Sequence, residues 1–134
     1  MTPSHDLGWL LATFAERVPG VAHAVAMSSD GLALAGSPNL RGDQADRIAA
    51  IAAGLVSLAY GVSRCAEGGS VLQTIVEMDG GFLFLMPMST GSVCAVFAER
   101  SSDVGQVGYE MALLVTRVGE ALAPQPRSTA CAFL

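Results

Sequence analysis

Two imidazoles, three thiols and no lysine amine are what this chain of 134 residues offers for catalysis. His5 lies near the amino terminus, and His23 falls in a β-rich run between Ala22 and Ala24, neither of them an acid or a nucleophile. A general base needs a positioned partner, so His23 reads as a strand residue at the sheet surface. Cys65, Cys94 and Cys131 are far apart, which fits neither a disulfide framework nor a zinc site of familiar spacing. They read as buried or idle thiols. Without lysine there is no phosphate-loop Lys, no Schiff-base Lys and no Ser-Lys dyad.

The carboxylates have local work. Asp30 and Asp79 occupy turns, Asp6, Asp43 and Asp103 stand at helix starts, and Glu16, Glu110 and Glu120 lie on polar helix faces. These local roles account for most of the acids, and no acid-base pair of the kind a paired-carboxylate hydrolase needs stands out. The expectation is a chain with no catalytic residues, no metal site and no cofactor. The terminal Cys131-Ala132-Phe133-Leu134 matches a prenylation pattern, but Arg127 and Ser128 upstream supply no polybasic support. A single lipid binds a membrane only marginally, and a four-residue pattern is a weak signal, so the match reads as accidental.

Composition directs attention to surfaces. Hydrophobic residues make up 51% and charged residues 14%, so apolar surface is expected to be buried against another chain. The net charge is -5, the sequence pI is about 4.7, and the basic residues are all Arg, spread along the chain. That argues against a nucleic-acid partner, which needs clustered cations. No apolar run approaches the ~20 residues that span a bilayer, and the amino terminus does not resemble a signal peptide. A cytoplasmic protein with no stable membrane insertion is expected.

The elements that would position these residues follow from the hydrophobic periods. Apolar residues at three- and four-residue spacing, Leu7, Leu10, Leu11, Phe14 and Val18, predict a helix capped by Asp6 and ended by Pro19-Gly20. Ala22 to Ser28 and Leu32 to Gly36 flank Ser29-Asp30-Gly31 as a hairpin. Three more β-rich runs, Ser70 to Glu77, Gly81 to Met88 and Ser92 to Ala98, are separated by Met78-Asp79-Gly80-Gly81 and Ser89-Thr90-Gly91. A last helix opens at Asp103, three residues before Gln106 in a capping-box-like arrangement, and carries Val107, Met111, Leu114, Val118 and Leu122. The order is α-β-β-α-β-β-β-α, an α+β class.

The long middle helix, Asp43 to about Arg64, carries most of the functional argument. Ile48, Ile51, Leu55, Leu58 and Val62 form one stripe, and Ala45, Ala49, Ala52, Val56 and Ala59 a second beside it. The large stripe is expected to face the core. The small stripe is then free to meet another helix, either the first or last helix of the same chain or the same helix of a second copy across a two-fold axis. The dimer is the favoured expectation.

Three segments, Val18-Pro19-Gly20-Val21, Ser28-Ser29-Asp30-Gly31-Leu32 and Gly80-Gly81-Phe82-Leu83-Phe84 with the following strand ending Ala95-Val96-Phe97-Ala98, resemble the roadblock/dynein light chain domain family. The resemblance is nearest to its bacterial branch of MglB-type proteins encoded beside small Ras-like GTPases. It covers residues 6 to 122, and implies a domain at 6–123 between a flexible 1–5 and a flexible tail at 124–134. It implies a five-stranded antiparallel sheet, the long helix on one face and the terminal helices on the other. It also implies a homodimer through that helix and the adjacent edge strand, Val71 to Val76. The interface residues expected are Ala45, Ile48, Ala49, Ala52, Leu55, Val56, Ala59, Val71, Gln73 and Ile75. The implied function is that of a non-enzymatic regulator or adaptor that binds a small Ras-like GTPase. Such proteins arrange the GTPase's own catalytic groups, so Arg41, Arg47 and Arg64 are not assigned as arginine fingers. A PAS- or GAF-like ligand-sensing module is the alternative, and would need a pocket between sheet and helix with convergent polar groups. A small hydrolase ranks third.

Overall fold

The structure, a computed structural model, describes residues 3–88 and 91–122. The elements are α1 (Pro3–Arg17), β1 (Val21–Met27), β2 (Ala33–Gly36), α2 (Gly42–Ala66), β3 (Thr74–Met78), β4 (Gly81–Pro87), β5 (Val93–Glu99) and α3 (Val104–Leu122). The strands form one antiparallel sheet in the order β2-β1-β5-β4-β3, with β2 and β3 at the edges. The expected α+β class and element order are both present. The expectations for Ser89, Thr90 and the tail with Cys131 lie outside the described residues.

Local chemistry sets the boundaries, and in two places it differs from the expectation. Helix α1 already runs from Pro3, so Asp6 lies inside it and is not its cap. Proline suits a first helical turn, where its missing N–H would find no partner in any case. Strand β3 begins at Thr74, not Ser70. Its register sets Thr74 against Leu85, and two further steps would set Leu72 against Pro87, which has no N–H for the ladder. The other signals hold. The Gln106 N–H donates to Asp103 Oδ1 at 3.1 Å, so Asp103 does cap α3. In the first hairpin Gly31 takes a φ of 91°, and the Ser28 hydroxyl donates to Asp30 at 2.6 Å. That hydrogen bond holds the exposed Asp30 carboxyl below its ordinary pKa. Gly81 is required by close approach: a Cβ there would lie 2.4 Å from the Ala98 carbonyl oxygen.

Strand alternation sends side chains to two separate cores. One face presents Ala24, Ala26, Phe82, Phe84, Met86, Cys94 and Val96 to Leu7, Leu11 and Phe14 of α1 and to Val107, Met111 and Leu114 of α3. The other presents Val25, Met27, Leu85, Val93 and Ala95 to α2. The terminal helices thus share one face and the long helix covers the other, as expected. The side of α2 that meets the sheet is the reverse of the expectation. Ala45, Ala49, Ala52 and Val56 are its buried residues, while Ile51, Leu58 and Val62 are 60%, 70% and 67% exposed. Small helix residues at this contact let the helix axis approach the sheet and fill the layer without voids.

Candidate functional site

The solvent side of α2 is where the chain departs furthest from an ordinary soluble surface. Its ends are well defined: the Arg41 backbone N–H donates to Gln44 Oε1 at 3.2 Å, and Glu67 closes the helix in the left-handed conformation at φ 55°. Between them Ile51, Leu58 and Val62 recur along one line of the helix with Ile48 and Leu55, which are half-buried. Against the expectation that no apolar run approaches membrane-spanning length, an 18-residue window of α2 has a mean hydropathy of 1.6, and by length and composition alone α2 is long and apolar enough to cross a membrane. Its alanine stripe nevertheless packs on the sheet.

Strand β3 continues this apolar surface. Its pairing with β4 leaves its other backbone edge open, a row of N–H and C=O groups ready to pair with another strand. Met78 is partly exposed on the side that faces α2, and Leu72, just before the strand, is exposed. Ile75 is exposed too, but its register partner is Phe84, so it leans toward the opposite face.

Four of the interface positions expected from the sequence, Ala45, Ala49, Ala52 and Val56, are buried against the chain's own sheet and are not available to a partner. Ile48, Leu55, Ala59 and Val71 are half-buried, and Gln73 and Ile75 are exposed. The structure brings Ile48 and Leu55 onto one surface with Ile51, Leu58 and Val62, a stripe expected to face the core. The missed signal was size. Both stripes of α2 are apolar, and the closeness of the helix to the sheet, which small residues permit, decides which turns inward.

Between the first half of α2 and the sheet lies an open cavity of about 380 Å³, lined by Leu40, Ile48, Ile51, Leu83, Phe97 and Met78 with the polar His23, Gln44 and Arg47. His23 does sit in a strand, opposite Phe97, but its Nδ1 is buried and has no hydrogen-bond partner among the described residues. Cys94 is buried, and burial pushes its thiol up to about 12, which removes it as a nucleophile at neutral pH. Cys65 is exposed at the end of α2. Among the described residues no group of three or more His, Cys, Asp or Glu side chains is placed to hold a metal ion. What this surface can do chemically is bind: it offers apolar area and the unpaired edge of a strand.

Comparison with known proteins agrees with this architecture. The model of the Roadblock/LC7 domain matches residues 7–98. A Roadblock/LC7 domain from Streptomyces avermitilis is 40% identical, with 86% of this chain and 96% of that one covered at a TM-score of 0.81. The MglB of Myxococcus xanthus shares the fold at 9% identity, with 92% and 95% covered and a TM-score of 0.80. The gliding protein MglB of Thermus thermophilus does so at 12% identity, with 90% and 91% covered and a TM-score of 0.80. No curated protein matched the chain. A family model spanning most of the chain, together with a solved relative of this identity, places it in the roadblock/LC7 domain family.

Proposed function

We propose that this chain is a non-enzymatic, dimeric regulator or adaptor that binds a small Ras-like GTPase and modulates its activity or localisation. The observation that carries the proposal is the continuous apolar surface made by the exposed stripe of α2 beside the open edge of β3. Two copies related by a two-fold axis would pair β3 with β3 and continue the antiparallel sheet, with the α2 helices side by side on one face. The exposed Ile51, Leu58 and Val62 would then leave water, each contributing on the order of 1.5–3 kcal/mol if fully buried. A structure of MglB with a tetrameric arrangement shares this fold at a TM-score of 0.80, and the GTPase as partner class rests on the resemblance to MglB-type proteins encoded beside small Ras-like GTPases. The absence of lysine and the inert Cys94 fit a protein that acts by contact.

The test is a binding experiment with a purified small Ras-like GTPase, loaded in turn with GDP and with a non-hydrolysable GTP analogue, alongside light scattering of the chain alone. A mass twice that of the chain and retention of the GTPase in at least one nucleotide state support the reading. A monomer that retains neither form rules it out.

One observation favours a second reading. His23, Gln44 and Arg47 converge on the cavity under α2, as a small-ligand sensing module requires. A metabolite retained through native mass spectrometry, and displaced when Ile48→Trp fills the cavity, would favour it.

A further inference from the structure

On the face of the sheet away from α2, the outer surfaces of α1 and α3 form a groove of about 380 Å³. One wall is Trp9, Thr13 and Arg17, and the other is Tyr109, Leu113 and Arg117. Each set repeats at i, i+4, i+8, so each is a single ridge along its helix. The ridges run in opposite directions, because Arg17 Nη1 reaches Glu110 Oε1, beside Tyr109, at 3.2 Å. A guanidinium therefore stands at each end of the groove with aromatic and aliphatic surface between them.

Exposure and charge both set this groove apart. Trp9, the only tryptophan of the chain, is 63% exposed, Tyr109 is 65% exposed and Leu113 is 48% exposed. Trp, Tyr and Arg are the residues that most often anchor protein interfaces. In a chain of net charge -5, the groove lining contains two Arg and one Glu. Among the described residues Arg17 bonds through Nη1 to Glu110 with its other N–H donors unused, and Arg117 has no ion pair.

We propose that this groove docks an amphipathic helix of a second protein, one whose apolar face is flanked by carboxylates about two turns apart. Two parallel-walled ridges are the complement of a third helix, whose side chains pack between them. Two turns of helix span about 11 Å, the length of one i to i+8 ridge within a residue, so a carboxylate at each end of the guest meets a guanidinium at each end of the groove. The site lies across the sheet from α2, so a chain associated through α2 keeps it open.

Trp9 reports on its own site. The experiment titrates the chain with a synthetic amphipathic helix bearing Leu and Phe on one face and Glu two turns apart at its margins, and with the same peptide carrying Lys for Glu. The expected result is a saturable shift of Trp9 emission to shorter wavelength with the Glu peptide, and affinity about fivefold weaker for the Lys peptide. Arg117→Glu should invert that preference while leaving the circular dichroism of the chain unchanged. The proposal is overturned if neither peptide moves the emission, or if the two bind equally and Arg117→Glu changes nothing. It is also overturned if the emission shifts with chain concentration alone, which would assign the face to a second copy. Repeating the titration on Leu58→Arg, altered only on the α2 surface, keeps this result separate from the fate of the proposed dimer.

Discussion

On one face of the sheet Phe82, Phe84 and Met86 meet the large apolar residues of two helices, Leu7, Leu11 and Phe14 on α1 and Met111 and Leu114 on α3. On the other, Val25, Met27 and Leu85 meet the alanines of a single helix, and that helix turns its own large residues to solvent. Helices α1 and α3 bury Leu7, Leu11, Phe14, Met111 and Leu114 and keep for the surface a groove of Trp9, Tyr109 and Leu113 with charged ends. Helix α2 buries its small ones and keeps for the surface a nearly uncharged apolar line. The difference separates what stabilises the chain from what the chain can offer to a partner.

If the two faces differ in this way, substitutions should sort by face. Phe84→Ala removes a fully buried ring from the two-helix face, and the loss should be about 3–5 kcal/mol of unfolding free energy by urea titration. A loss below about 1 kcal/mol would mean that this face is not the main core. On the α2 face, Ala52→Leu adds volume where the helix rests on the sheet, and overpacking should cost about 1–3 kcal/mol in the same titration. If Ala52→Leu instead left stability unchanged and altered only the oligomeric state, the alanine stripe would be an interface after all.

The outer side of α2 should behave oppositely. Gly54 lies in mid-helix, and a Cβ added there would touch nothing within 4 Å. Gly54→Ala should therefore stabilise the chain by about 0.5–1 kcal/mol, visible as a higher thermal midpoint. A decrease would show that something packs against that glycine. Leu58→Arg should change the folding free energy least, within about 0.5 kcal/mol at concentrations too dilute for association. Its readout is the mass by light scattering, which should fall from that of two copies to one. Leu58→Arg that keeps the wild-type mass would remove α2 from the interface.

Much of this architecture was legible because it is encoded locally. The Asp30-Gly31 turn, the capping Asp103 and the Leu7 to Val18 stripe each depend on residues within a few positions of one another, and all are where the pattern indicates, apart from the Asp6 cap. The surface proposed for association was legible only as a wide apolar helix. Its two stripes differ by about one residue's rotation, and periodicity gives their existence without saying which meets the sheet. His23 shows the same limit: its place in a strand followed from its neighbours, but the cavity it lines also takes in Phe97, more than seventy residues away in the chain. The groove with Trp9 and Arg117 was not legible at all, because its two ridges lie at opposite ends of the sequence.

By itself the sequence determined which segments become helix and strand, where most turns fall, and that the chain carries more apolar surface than it needs. The tertiary structure alone decided where that surplus goes. Which stripe of α2 packs inward depends on how closely the helix axis approaches five strands brought together from distant parts of the chain, and here small residues fill that contact.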